Sequence, residues 1–129
     1  PGDGTWDRVL MKVLQTRGRV KRYLWAQTPE EMDEWLLEIG PVMIGIPWYE
    51  NMFYPDEDGF LAQPSGQEIG GHEVLIRGIN RGSKPFYTIT NSWGSDWGDN
   101  GDARINRNDL RWLIFNTWGS ACTAEEQSV

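Results

Sequence analysis

"GGHEVLIRGINRGSKPFYTITNSWGSDWGDNGDARIN", residues 70–106, decides how this chain folds. It reads as three strands, 72–79, 85–91 and about 102–106, joined first by a Gly-Ser-Lys-Pro turn and then by a glycine-rich loop carrying Trp93 and Trp97. His72, the chain's single histidine, opens the first strand directly after Gly70 and Gly71. Two absent side chains there let another backbone or a substrate come close. Asn91 closes the second strand. If the strands are neighbours, His72 and Asn91 meet at one end of the sheet. An imidazole that works as acid and base needs a partner on its second nitrogen to fix tautomer and ring orientation. A neutral amide does this without drawing the proton away, which suits an imidazole charged beside a thiolate. Trp93 would keep water off that hydrogen bond, and the glycines let the loop fold over the pair. Taken singly, each feature has a plainer reading, since a histidine at a strand end and aromatics in a loop are commonly structural.

Upstream, "VMIGI" (42–46) is a short buried-strand run. Before it comes a helix with clear ends: Thr28 as cap, Pro29 at the first position, Glu31 completing a capping box and Gly40-Pro41 as the stop. Its apolar face is Met32, Trp35, Leu36 and Ile39. A first helix is expected over 5–15, with Trp6, Val9, Leu10, Val13 and Leu14 on one face, followed by a strand or connector at 20–26. Downstream, "NDLRWLIF" (108–115) closes with a helix whose apolar face includes Trp112, and the polar tail after Ala121 is expected to fray. Two helices followed by mostly antiparallel strands give an α+β fold, a sheet or partial β-barrel with helices segregated from it. Val74, Ile76, Tyr87 and Ile89 are its candidate core.

The composition narrows function by exclusion. The chain has 129 residues, 39% hydrophobic and 24% charged, enough for one domain with a real core. A net charge of −7 and a pI near 4.6 speak against a phosphate-backbone partner. No apolar run reaches membrane-spanning length and no signal peptide is visible, so a soluble protein with neither nucleic acid nor membrane as partner is expected. One cysteine and one histidine exclude a Cys/His zinc site built by this chain alone, and no metal or cofactor is expected. "DEDG" (56–59) lacks the spaced acid and the bidentate Glu of a calcium loop and reads as a solvated turn. "RGRVKR" (17–22) reads as a surface cluster. Glu30, Glu31, Asp33 and Glu34 form a helix surface rather than a glycosidase pair.

Together, "GGHEVLIRGIN" and "YTITNSWGSDWGDNGDARI" resemble the second half of a papain-like cysteine protease. In that family a strand begins at a histidine, and an Asn-Ser-Trp-Gly-x-x-Trp-Gly-x-x-Gly loop follows the next strand. "GPVMIGI" (40–46) fits the strand that opens the family's barrel lobe, and "WYENMFYPDEDG" resembles papain-like domains encoded by bacteriophages, in lytic enzymes or virions. The resemblance implies a barrel lobe at 28–121, with 1–27 a remnant of the helical lobe and connector and 122–129 a C-terminal tail. It makes His72 the general base and acid, Asn91 its orienting partner and Trp93 the shield. Trp97 would line the leaving-group side of the cleft and Gly71 support the site. Glu73 would border the pocket for the second residue before the scissile bond. The substrate implied is a peptide or the peptide of peptidoglycan.

The family's cysteine, at the start of a long helix, and the glutamine of its oxyanion hole have no counterpart here; Gln15 and Gln27 stand in the wrong context. Three readings follow. The nucleophile lies on a complementary chain or missing segment that also carries the glutamine; or the domain is an inactive structural or binding module, such as a virion component; or Cys122 is reached by rearrangement. The first is preferred. Cys122 lacks a helix long enough to anchor it.

Overall fold

The computed structural model describes residues 20–91 and 96–126. The helix expected over 5–15 lies outside the described residues, as does Trp93. Strand β1 (Val20–Trp25) is followed by helix α1 (Pro29–Glu38) and strand β2 (Val42–Tyr49). A single 3-10 turn (Glu50–Met52) and a long excursion lead to β3 (Glu68–Asn80), then β4 (Phe86–Thr90) and β5 (Asp102–Asn106). Helix α2 (Arg107–Phe115) and strand β6 (Ser120–Glu126) end the described chain. The strands form one six-stranded sheet in the order β1-β6-β2-β3-β4-β5, every named pairing antiparallel. It stays open rather than closing into a barrel.

The α1 start follows its local signals. Thr28 Oγ1 accepts from the Glu31 amide at 3.1 Å. The Glu31 carboxylate accepts from the Gln27 amide at 2.9 Å, one residue before the cap. Of the expected apolar face, Met32 is fully buried and Trp35 and Leu36 pack against the core. Ile39 does not: it is the C-cap, beyond the last helical residue, and is 58% exposed.

Strict alternation builds the inner face of the sheet. Val42, Ile44, Ile46 and Trp48 on β2 oppose Ile76, Val74, His72 and Gly70 on β3. Ile76 in turn pairs with Ile89. Val74, Ile76, Tyr87 and Ile89 are all buried, as expected. Both helices cover this face and are tied across it by one polar knot. The Tyr87 hydroxyl donates to Asp33 Oδ1 at 2.6 Å. Arg111 donates from Nε to that hydroxyl at 3.0 Å and to Asp33 Oδ2 at 2.6 Å. Burial, with Asp33 alongside, pushes the Tyr87 hydroxyl well above the ordinary tyrosine range.

Two expectations are corrected. Trp112 is not core; Leu110, Leu113 and Ile114 form the inward stripe of α2, and Trp112, 43% exposed, rests against Tyr49. The segment after Ala121 does not fray. It is β6, held between β1 and β2, with Cys122 and Thr123 both buried. Consecutive buried residues mean that both faces of this strand are covered, so its sequence shows no alternation.

Candidate active site

His72 and Val74 leave the same face of β3, and His72 stands opposite Ile46 of β2. Just past the end of β4, Asn91 follows Ile89 by two residues, so it continues the same face and reaches diagonally towards His72. Its backbone amide donates to Gly101 O at 2.9 Å, fixing it to the far end of the glycine-rich loop. The result is the contact the sequence suggested: His72 Nε2 and Asn91 Oδ1 are 2.8 Å apart. An oxygen acceptor requires a proton on Nε2, which leaves Nδ1 as the basic nitrogen of the neutral ring. Asn91 is only 4% exposed, and among the described residues its buried Nδ2 has no hydrogen-bond partner.

Trp48 is the residue that sequence reading missed. It is 2% exposed and meets the His72 ring edge-on, centroids 5.0 Å apart at 71°. Trp97 tilts against Trp48 at 6.1 Å and donates its Nε1–H to Phe53 O at 2.9 Å. The signal was available: Trp48 extends the alternation of Val42, Ile44 and Ile46. Trp97 also lines a cleft of about 670 Å³ with the 53–59 turn and Asp96–Asp99. The turn is ordered locally, because Asp56 Oδ1 accepts from the amides of Asp58 and Phe60.

The other expected residues fall as follows. Gly71 lies under the indole of Trp118, whose Cη2 would be 2.9 Å from a β-carbon there; the space is taken by a side chain of the same domain. Glu73 is half-buried and turns to the face opposite His72, beside Gly45, which in turn neighbours Ser120. Cys122 pairs with Met43, so it lies on that opposite face too. It is two strands from His72 and three residues along β2, roughly 10 Å in each direction. With 0% exposure, Cys122 cannot meet the imidazole without dismantling the sheet. Among the described residues, no group of three or more His, Cys, Asp or Glu could hold a metal, and no helix is long and apolar enough to cross a membrane.

Comparison with known proteins shows which family the chain is similar to. Residues 11–117 match the family described as papain family cysteine protease. The chain is 39% identical over 69 residues to cathepsin B-like cysteine proteinase 4 of Caenorhabditis elegans, covering 53% of this chain and 20% of that protein. It is 30% identical over 87 residues to human cathepsin O, covering 64% of this chain and 26% of that protein. A peptidase C1-like protein of Acanthamoeba polyphaga mimivirus is 38% identical over 76 residues, 56% of this chain and 24% of that protein. Among solved structures, procathepsin B S9 of Trypanosoma congolense superposes with a TM-score of 0.68 at 20% identity, covering 85% of this chain and 37% of that one. The chain thus spans about a fifth to a quarter of the length of these curated relatives.

Proposed function

The chain belongs to the papain family of cysteine proteases, and from that premise we propose that it is the histidine- and asparagine-bearing part of a peptidase. The single observation that carries this reading is the part-buried 2.8 Å contact between His72 Nε2 and Asn91 Oδ1. With Nε2 committed to Asn91, Nδ1 is the atom that exchanges a proton with a thiol. The thiol proton passes to Nδ1, and the thiolate adds to the peptide carbonyl. Nδ1–H then protonates the departing amine as the C–N bond breaks, and water, deprotonated by the same nitrogen, releases the acid from the thioester. Cys122 is buried and faces away from His72, which supports giving the nucleophile and an oxyanion-hole glutamine to another segment or a complementary chain. By the family resemblance, Trp93 is the shield of the pair and Trp97 borders the leaving-group side. By the same resemblance, Glu73, next to His72 and across from side-chain-free Gly45, borders the pocket for the second residue before the scissile bond and favours a basic or polar guest there. Phage origin gains no support from the nematode, human and giant-virus relatives and is not carried forward.

The test is complementation. Supplied with a papain-type helical lobe carrying the Gln and Cys, the chain should hydrolyse peptides in a thiol-dependent way, and His72→Ala should abolish it. A second reading, an inactive module of the same fold, is favoured by the position of its only cysteine. Failure of every complementing lobe, with the His72–Asn91 contact intact, would establish it.

A further inference from the structure

We propose that Trp48 is a positioning residue for His72: it clamps the plane of the imidazole and so keeps Nε2–H on Asn91 Oδ1, the bond that fixes the tautomer. This rests on the reading of His72 as acid and base. Trp48 stands opposite Gly70 on β3, a position with no side chain to pair with. A β-carbon at Gly70 would meet nothing within 4 Å, so the indole does not lie over its cross-strand partner. It leans along the sheet to the diagonal neighbour His72, 5.0 Å between centroids and 71° between planes. Edge-to-face is the favoured geometry of an aromatic pair.

A hydrogen bond to one ring nitrogen leaves the imidazole able to swing about the N···O line. A perpendicular ring pressed against it blocks that rotation. Trp48 can serve as such a stop because it is itself wedged. Phe53 meets it edge-on at 6.4 Å, Trp97 tilts against it at 6.1 Å, and Trp97 is anchored by its bond to Phe53 O. Rigid neighbours of this kind are what hold a catalytic ring to within tenths of an ångström of its working geometry. Asn91 follows the end of β4 and Trp48 lies on β2, the strands on either side of β3, so the ring is held from both sides of its own strand.

The experiment uses the intact chain and the fact that it has a single histidine, whose ring nitrogens can be followed by 15N NMR without overlap. It needs no catalytic turnover, so its outcome is separate from that of complementation. In the wild-type chain, nuclear Overhauser contacts should join the His72 ring protons to the Trp48 indole, and the Nε2–H tautomer should dominate. Trp48→Leu should lower the Nε2–H to Nδ1–H ratio about threefold or more, the scale of one aromatic contact, and Trp48→Phe should restore it. Leu113→Ala, an equivalent loss of core packing on α2, should leave the ratio unchanged. Should Trp48→Leu not fold, the wild-type contacts and the Trp48→Phe ratio decide. Absent ring-to-ring contacts, an unchanged ratio in folded Trp48→Leu, or an equal shift in Leu113→Ala would each overturn the proposal.

Discussion

Gly71 lies directly beneath the Trp118 indole: a β-carbon at Gly71 would stand 2.9 Å from Cη2, while the indole Nε1–H donates to Glu68 at 3.2 Å. The glycine before the histidine therefore exists to seat a tryptophan from the α2–β6 connection. Gly71→Ala should destabilise the domain by about 1–3 kcal/mol, the ordinary cost of overpacking. Trp118→Leu in the same chain should recover part of that loss, a non-additivity measurable by urea denaturation. Additive losses would mean the two residues do not touch in solution.

Asn91 should matter more to chemistry than to stability. Asn91→Ala removes a hydrogen bond but also removes a buried Nδ2 that has no partner among the described residues, so the two effects partly offset. We expect a loss of no more than about 1 kcal/mol in stability. In the complemented enzyme, kcat/KM should fall by roughly 10–100-fold, the range for one buried, charge-assisted bond. A large stability loss with unaltered kinetics would make Asn91 a structural residue.

The Asp33–Tyr87–Arg111 knot gives the fold an alkaline weakness. Folding holds the Tyr87 hydroxyl protonated above tyrosine's ordinary value of 10.0. A raised folded-state pKa contributes stability that is fully present below the unfolded value and is lost as pH rises through the folded one. Tyr87→Phe should cost about 1–2 kcal/mol at neutral pH through its lost hydrogen bonds, and the gap to wild type should narrow above about pH 10. Denaturant midpoints of both proteins from pH 7 to 11 provide the measurement; parallel curves would argue against a folded-state hold on this proton.

Cys122 should be inert. With 0% exposure in a strand paired on both sides, it should alkylate in the native chain far more slowly than in urea. Cys122→Ser should leave complemented peptidase activity intact. Peptide cleavage by the chain alone, abolished by that substitution, would reverse the assignment made from the strand register.

Much of this was legible in residues close together along the chain. Thr28, Pro29 and Glu31 mark a helix start because capping is a contact over three or four residues. Val42, Ile44 and Ile46, like Val74 and Ile76, declare a buried face because alternation is a property of one strand. His72 and Asn91 could be paired in advance because only one short turn separates their strands, and a hairpin's register fixes who meets whom.

The remainder depended on contacts that no local pattern encodes. "SACTAEE" became a strand only because β1 and β2 present unpaired edges to it, and burial on both faces erased the alternation that would have announced it. Trp112 carried the spacing of a core residue yet lies outside, since the position of α2 over the sheet, not its own periodicity, decides which stripe is covered. Trp48 reaches His72, Tyr87 joins two helices, and Cys122 is turned from the imidazole through strand register and helix docking alone. Sequence determined most of the elements and which two side chains, His72 and Asn91, meet at one end of the sheet. Tertiary structure decided what holds those side chains in place, because positioning is a matter of distances between residues that the chain itself keeps far apart.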